Sequence, residues 1–263
     1  MRNQKQLVSV IMNCYNGEKF IKKSVYSIIS QSYKKWELVF WDNNSSDNSK
    51  NILKEFKDKR IKYFYSKKFN TLYKSRNLAI KKAKGKYICF LDVDDSWKKN
   101  RLKDQVLNLE KFGKNLNYSN YEIKNKINNK TILRKKGNLP NGLITQSLLD
   151  DYFIGIISVT INKKIFKNYK FNEKYNVIGD FDLFLRLSLK YEFNSITKVL
   201  STYNVHGKNF SDKNLGMYIV EMKHWLKKNE KLFLKDYNIN KLKFFLLRLQ
   251  VKNFFKNFKF LGV

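Results

Sequence analysis

Proline is almost missing from this 263-residue chain, which has only Pro140, and alanine is nearly so, with only Ala79 and Ala83. Cysteine occurs twice, at Cys14 and Cys89, each inside an apolar run. Two such cysteines supply neither a disulfide framework nor the paired spacing of a metal knuckle; they read as small buried residues in a reducing compartment. No apolar run approaches the ~18 residues needed to cross a bilayer. The longest, Phe153 to Ile161, has the length of a strand or a buried turn. The basic start followed by Leu7 to Met12 is too short for a secretion signal and lacks a small-residue cleavage site. The expected location is therefore cytoplasmic, extending to peripheral attachment on the cytoplasmic face of the inner membrane. Neither G-x-G-x-x-G nor G-x-x-x-x-G-K-[ST] occurs, which excludes a dinucleotide fingerprint and a P-loop. No repeat and no low-complexity linker divides the chain.

Acids are also scarce: 22 against 54 basic residues, for a formal charge of +32. Of those basic residues 47 are lysine and only 7 arginine, with Asn, Ile, Phe and Tyr abundant. That skew fits A/T-rich coding, which places lysine wherever a surface tolerates it. A non-enzymatic nucleic-acid-binding protein is the alternative of another class, but it predicts acids kept away from basic and aromatic faces. Here the acids gather at strand ends, so nucleic acid is not the expected partner. A positive surface still favours anionic partners, whether phosphate-bearing substrates or acidic lipid.

In chain order, residues 7 to 13 read as a nearly continuous apolar strand of the kind covered on both faces. Phe20, Ile21, Val25, Ile28 and Ile29 then recur at helical spacing. Trp36 to Trp41 is a second strand, followed by the polar loop Asp42 to Ser49 and a helix carrying Ile52, Leu53 and Phe56. Ile61 to Tyr65 is a third strand, and Leu72 to Ala83 a helix that Gly85 is expected to end as a left-handed cap. A fourth strand follows. This alternation predicts an α/β, Rossmann-like, mostly parallel sheet flanked by helices. Residues 115 to 141 carry little periodic signal beyond two irregular strands. Helices are then expected over 144–152, from about 180, and through the C-terminal extension from 222.

The chemistry concentrates in Tyr87 to Trp97, where an apolar strand runs into Asp92, Asp94 and Asp95, then Ser96 and Trp97. Clustered carboxylates are costly unless a cation sits among them. In extended backbone Asp92 and Asp94 would leave on one face, an arrangement suited to a divalent ion that also holds a diphosphate. The plainer possibility is that Asp-Asp-Ser caps the next helix. In such a sheet ligands collect beyond the carboxyl ends of the strands, where Asn13, Tyr15, Asp42 and Asn43 also lie. Arg76 has the guanidinium geometry that suits diphosphate. A second focus is Gly179 to Leu187, where Asp180 and Asp182 open a helix and Asp180 alone reads as a plain N-cap.

Together, the stretches Ser9 to Gly17, Ser27 to Ser32, Glu37 to Asn43, Arg76 to Ala79, Gly85 to Trp97 and Gly179 to Arg186 resemble the family 2 inverting glycosyltransferases of the GT-A fold. The ordered set covers roughly residues 7 to 211. The resemblance implies a nucleotide-sugar donor, a glycan or lipid-linked saccharide acceptor, Mg2+ or Mn2+, and single displacement with a carboxylate base. By this resemblance Asp180 is the base, Asp94, Asp92 and His206 are the metal-side residues, and Asn13, Tyr15, Asn16, Asp42, Asn43, Arg76 and Asp92 face the donor. Asp95, Trp97 and Arg186 are acceptor-side or supporting. Residues 1–105 would form the donor half, 106–220 the acceptor and catalytic half, and 221–263 a basic helical tail. Two positions depart from the family pattern. Asn43 stands where a second acid reads uracil, which weakens the case for a uridine donor, and Gly179 stands where Glu precedes the base. A member that has lost catalysis and serves as a scaffold is a nearer alternative, opposed by the intact Asp92, Asp94 and Asp180.

The tail can be read without the family. At helical spacing Phe244, Leu247, Val251, Phe254, Phe255 and Phe258 share one face, and Lys241, Arg248, Lys252, Lys256 and Lys259 another. An aromatic face beside a basic one suits an interfacial helix on anionic lipid, with residues 239–263 as the contact. The alternative is that the aromatic face packs on the catalytic domain or on a second copy in a homodimer.

Overall fold

The computed structural model describes residues 5–207, 209, 210 and 214–258, the last three as backbone only. Lys256, Phe258 and Lys259 of the expected tail faces therefore lie outside the described side chains. Strand β1 (Val8–Cys14) lies between β2 (Trp36–Asp42) and β4 (Tyr87–Phe90), with β3 (Ile61–Tyr65) beyond β2, all parallel. Strands β1, β2 and β4 are mostly apolar because they are covered on both faces, every residue of β2 and β4 being buried, whereas the edge strand β3 is only partly covered. The crossovers are α1 (Glu18–Ile29), α2 (Ser49–Lys54) and α3 (Leu72–Lys82). The spacing of Ile21, Val25 and Ile28 in α1 does what it predicts, leaving all three fully buried.

Beyond β4 the direction changes. After the two-residue β5 (Ser96–Trp97) and α4 (Arg101–Phe112) comes β6 (Leu116–Asn125), with β7 (Lys130–Leu133) antiparallel on its far end. The short α5 (Thr145–Asp150) and a turn of 3-10 helix at Ile156–Ser158 lead into β8 (Val159–Asn162), which runs antiparallel between β4 and β6. Helix α6 (Gly179–Ser188) then precedes β9 (Asn194–Val205), parallel to β6 and antiparallel to β5. Among the described residues one nine-stranded sheet, ordered β3-β2-β1-β4-β8-β6-β9-β5 with β7 off this path on β6, thus carries a parallel half and a mixed half.

Two helices close the chain, α7 (Leu215–Phe233) and α8 (Asn240–Phe258). Met222 and Trp225 of α7 are fully buried, so this helix belongs to the core and is no appendage. Helix α8 presents Leu242 and Leu246 inward, and Phe244, Leu247, Val251, Phe254 and Phe255 on its aromatic face are exposed.

Gly85 corrects one expectation. Helix α3 ends at Ala83 in extended backbone, and Gly85 is not in the left-handed region. A glycine stands there because a Cβ would lie 2.6 Å from Ser9 N and 2.7 Å from its Oγ. The close approach serves a buried clamp: Gly85 N donates to Ser9 Oγ (2.8 Å), and Ser9 Oγ and Lys84 N both donate to Glu37 Oε1 (2.6 Å each).

Candidate active site

The three acids at the end of β4 do not continue the strand. The chain turns at once, with Asp95 N donating to Asp92 O (3.1 Å), so the same-face spacing expected from extended backbone does not apply. The turn separates the acids by role. Asp92 pairs with Arg76, Nη2 to Oδ1 at 2.8 Å, and Arg76 is 3% exposed. Asp94 Oδ2 lies 3.1 Å from His206 Nε2, whose ring stacks on Phe20 at 4.7 Å. Asp95 is fully buried and accepts the backbone N–H of Asn204 through Oδ1 (2.8 Å).

A cavity of about 450 Å3 opens over this turn at the carboxyl ends of the parallel strands. Its wall contains Asn13, Arg76, Asp92, Asp94, Asp95 and Asp180. Burial raises the Asp94 carboxyl above its ordinary range, and the neighbouring Asp92 charge adds to this. Asp95 is held well above that range by burial, then by Asp94 and Asp92. Burial opposes the Arg76 charge, but Asp92, with Tyr73 and Asp180, more than offsets it.

Asp180 sits one residue inside α6 and is no ordinary N-cap: the cap position is Ile178, and no side chain there accepts a cap bond. The free N–H groups before the helix are taken by Glu221 of α7, whose carboxylate accepts Asn176 N (2.6 Å), Val177 N (2.9 Å) and Ile178 N (3.1 Å). Asp180 Oδ1 is left to accept Phe181 N (2.9 Å) and to face the Tyr73 hydroxyl at 3.2 Å. Burial raises its pKa, opposed by the nearby Arg76 guanidinium and these hydrogen bonds.

Among the described residues, no three His, Cys, Asp or Glu side chains are gathered closely enough to hold a metal ion alone. The donor set nevertheless fits Mg2+ or Mn2+ carried with a diphosphate, since such ions take one or two carboxylates and fill their shells from phosphate and water. Several buried polar atoms around the turn lack a partner among the described residues: Asn13 Nδ2, Asp95 Oδ2 and Asn204 Oδ1. These, with acids whose charge burial opposes, are what a cation and a phosphate would satisfy.

Other expected site residues lie apart from the cavity wall. Asp42 is 1% exposed and accepts Ser45 N (2.8 Å) and Tyr63 OH (2.7 Å). Asn43 Oδ1 accepts Asn70 N (3.1 Å) and Ser75 Oγ (2.9 Å), while Nδ2 donates to Asn70 O (2.8 Å). Both ends of its amide thus brace the chain at Asn70. Asn16 Oδ1 accepts Ser46 N (2.9 Å), and Tyr15 is exposed with its ring 4.7 Å from Phe69. Trp97 is a buried support, donating to Ile157 O (3.1 Å) with the Arg101 guanidinium 3.9 Å from its ring. Arg186 pairs with Asp182 (2.8 Å) and donates to Lys170 O (2.8 Å).

Sequence reasoning missed Tyr73, Tyr121, Tyr152 and Arg134, which line the same cavity, and Glu221, which holds the chain before Asp180. One signal was available for the arginine. In a lysine-biased chain, arginine persists where a planar fork is needed, as at Arg60 on Trp36 (3.7 Å), Arg76, Arg101, Arg186, and Arg134 on Asp151 (2.7 Å) and Tyr152 O (2.6 Å).

The architecture is that of the GT-A glycosyltransferases. Superposition on the Staphylococcus aureus TarS 1–349 complex with UDP-GlcNAc gives a TM-score of 0.65 at 17% identity, over 83% of this chain and 66% of that one. The mannosyltransferase PcManGT of Pyrobaculum calidifontis, solved with GDP-Man and Mn2+, gives 0.64 at 14% identity, over 87% and 65%. The glycosyl transferase family 2 model matches residues 9–191, and the chain belongs to that family. Among relatives, the Escherichia coli UDP-Glc:alpha-D-GlcNAc-diphosphoundecaprenol beta-1,3-glucosyltransferase WfgD is 37% identical over 63% of this chain and 64% of its own. The putative teichuronic acid biosynthesis glycosyltransferase TuaG of Bacillus subtilis is 32% identical over 62% and 65%. The matches thus span just under two thirds of these relatives' lengths.

Proposed function

We propose that this chain is an inverting glycosyltransferase that moves a sugar from a nucleotide-sugar donor, UDP-linked by preference, to a hydroxyl of a glycan or lipid-linked saccharide in surface polysaccharide synthesis. Residues 1–105 would serve the donor and 106–220 the acceptor. The protein would work in the cytoplasm or at the inner face of the membrane. The observation that carries the reading is that the Asp92-Asp94 turn and the buried Asp180 line one cavity.

In this reading an acceptor hydroxyl gives its proton to Asp180 as its oxygen bonds to the anomeric carbon. The bond from that carbon to the diphosphate oxygen breaks, and the nucleoside diphosphate leaves. Arg76, fixed by Asp92, is placed to meet the charge that develops there. A divalent ion held by Asp94, with Asp92 and His206 as the further candidates, would supply charge neutralisation at the phosphates. Burial of Asp180 raises its basicity, which suits proton abstraction near neutral pH.

Asp180→Asn should lower turnover at least ~10²-fold while leaving donor binding nearly unchanged. Transfer from UDP-glucose, UDP-GlcNAc and GDP-mannose, measured with Mn2+ and a diphosphate-lipid saccharide, tests this. An Asn variant that keeps its specific activity would remove Asp180 as base. Turnover unaffected by a chelator would remove the ion.

A further inference from the structure

We propose that the outward face of α8 is a docking surface for an anionic lipid bilayer. A helix packed on a globular domain by one side ordinarily turns polar residues to the other. Helix α8 does not. Its inner side is fully used: Ile239, Leu242 and Leu246 are at most 5% exposed. Gln146 of α5 holds the start of the helix by exchanging hydrogen bonds with Asn238 (2.8 Å each). The opposite side is apolar again. Phe244, Leu247, Val251, Phe254 and Phe255 are 61%, 56%, 49%, 58% and 62% exposed. At 100° per residue these five fall within a single broad stripe, centred roughly opposite Leu242 and Leu246.

The charge says what covers that stripe. Helix α8 has no acidic residue, and residues 214–258 hold ten basic residues against three acidic. Lys241 pairs with Asp150 (3.1 Å) and Lys243 with Glu230 (2.5 Å), which pin the helix to the body. Arg248 and Lys252 have no ion-pair partner among the described residues, and they border the apolar stripe. The Arg248 guanidinium lies 6.0 Å from the Phe244 ring. A second copy docking by the same face would set like charges opposite each other. An anionic bilayer complements both features, taking the aromatic stripe at the boundary of headgroups and chains and the cations among the phosphates. With the inner side docked, the axis of α8 would lie in the plane of the membrane. This inference does not depend on the catalytic assignment, and binding is measured separately from transfer.

The test uses the full chain and sedimentation with phosphatidylcholine vesicles, with and without phosphatidylglycerol, at low and high salt. Binding is expected to need phosphatidylglycerol and to weaken with salt. Arg248→Gln with Lys252→Gln should weaken it by roughly fivefold per cation removed. Phe244→Ser with Phe254→Ser should weaken it at least ~10-fold at either salt. All four positions are solvent-facing, so melting temperatures should stay at the parent value, which separates lost binding from lost fold. Equal binding to neutral vesicles, or binding that survives the phenylalanine pair, overturns the proposal. So does a concentration-dependent dimer, or binding to DNA of equal strength, that the same substitutions abolish.

Discussion

The ring of Tyr73 fills the space beside Gly179. A Cβ at residue 179 would lie 2.5 Å from the ring atoms Cδ2 and Cε2, and Tyr73 is 2% exposed against Phe171 at 5.5 Å, so it cannot yield. A side chain at residue 179, such as the glutamate that the resemblance leads one to expect, would therefore collide with this ring. Gly179→Ala should destabilise the protein by about 1–3 kcal/mol through overpacking. Thermal denaturation would read this as a lower melting temperature, and an unchanged one would mean that the ring moves aside.

The same tyrosine touches the proposed base. Its single hydroxyl proton is within donating reach of both Val177 O (2.8 Å) and Asp180 Oδ1 (3.2 Å), and when shared with Asp180 it favours the charged carboxylate. Burial raises the Asp180 pKa and the Tyr73 contact lowers it. Since a base must be deprotonated, turnover should rise with pH through a value above the ordinary carboxylate range. Tyr73→Phe removes one lowering influence, so that rise should move to higher pH. A pH profile of kcat with the two limbs superimposed would assign Tyr73 to packing alone.

Glu221 couples the C-terminal helices to the site. Its carboxylate satisfies three backbone N–H groups just before Asp180, and Trp225 Nε1, one turn on, donates to Asp182 Oδ1 (3.1 Å). Glu221→Ala should leave those donors unpaired in a nearly buried place, at about 1–3 kcal/mol for a single lost partner and more for a charged one. Denaturant unfolding checks the cost. Glu221→Gln, which keeps one acceptor oxygen, should fall between parent and alanine.

The parallel half of the sheet was legible because strands buried on both faces carry continuous apolar runs, as in Leu38 to Trp41. In the mixed half strands are expected at Ile156 to Ile161 and Ile196 to Tyr203 and are found as β8 and β9, but their pairing order was not legible, and β7, exposed at every residue, carries no burial pattern. Asp92, Asp94 and Asp180 stood out as acids where apolar chain should continue. Tyr73, Tyr121 and Tyr152 did not, since a tyrosine in an aromatic-rich chain reads as core, and all three are indeed largely buried. Gly85 misled because a glycine after a helix signals a cap, while the approach of Ser9 that requires it is a tertiary contact. Glu221 was hidden for the same reason: nothing local marks a carboxylate that caps a helix more than forty residues earlier.

Asp95 offers a test of the acidic turn that needs no acceptor. Its Oδ2 is buried without a partner among the described residues, and burial with the Asp94 and Asp92 charges holds its carboxyl well above the ordinary range. A carboxyl whose folded pKa exceeds its unfolded value favours folding at low pH. That contribution is fully present below the unfolded pKa, near 3.8, and is lost as pH rises through the folded value. Asn at this position does not titrate, yet its oxygen can still accept Asn204 N, and its amide can donate where Oδ2 stood alone. In chelator, Asp95→Asn should therefore melt higher than the parent at neutral pH, with the gap closing as the solution is acidified. Mn2+ with UDP should narrow or reverse the gap at neutral pH, because a cation beside the turn favours the carboxylate form over the amide. A gap constant from acid to neutral pH would mean that Asp95 carries no such strain. A gap indifferent to Mn2+ and UDP would place the ion away from this turn.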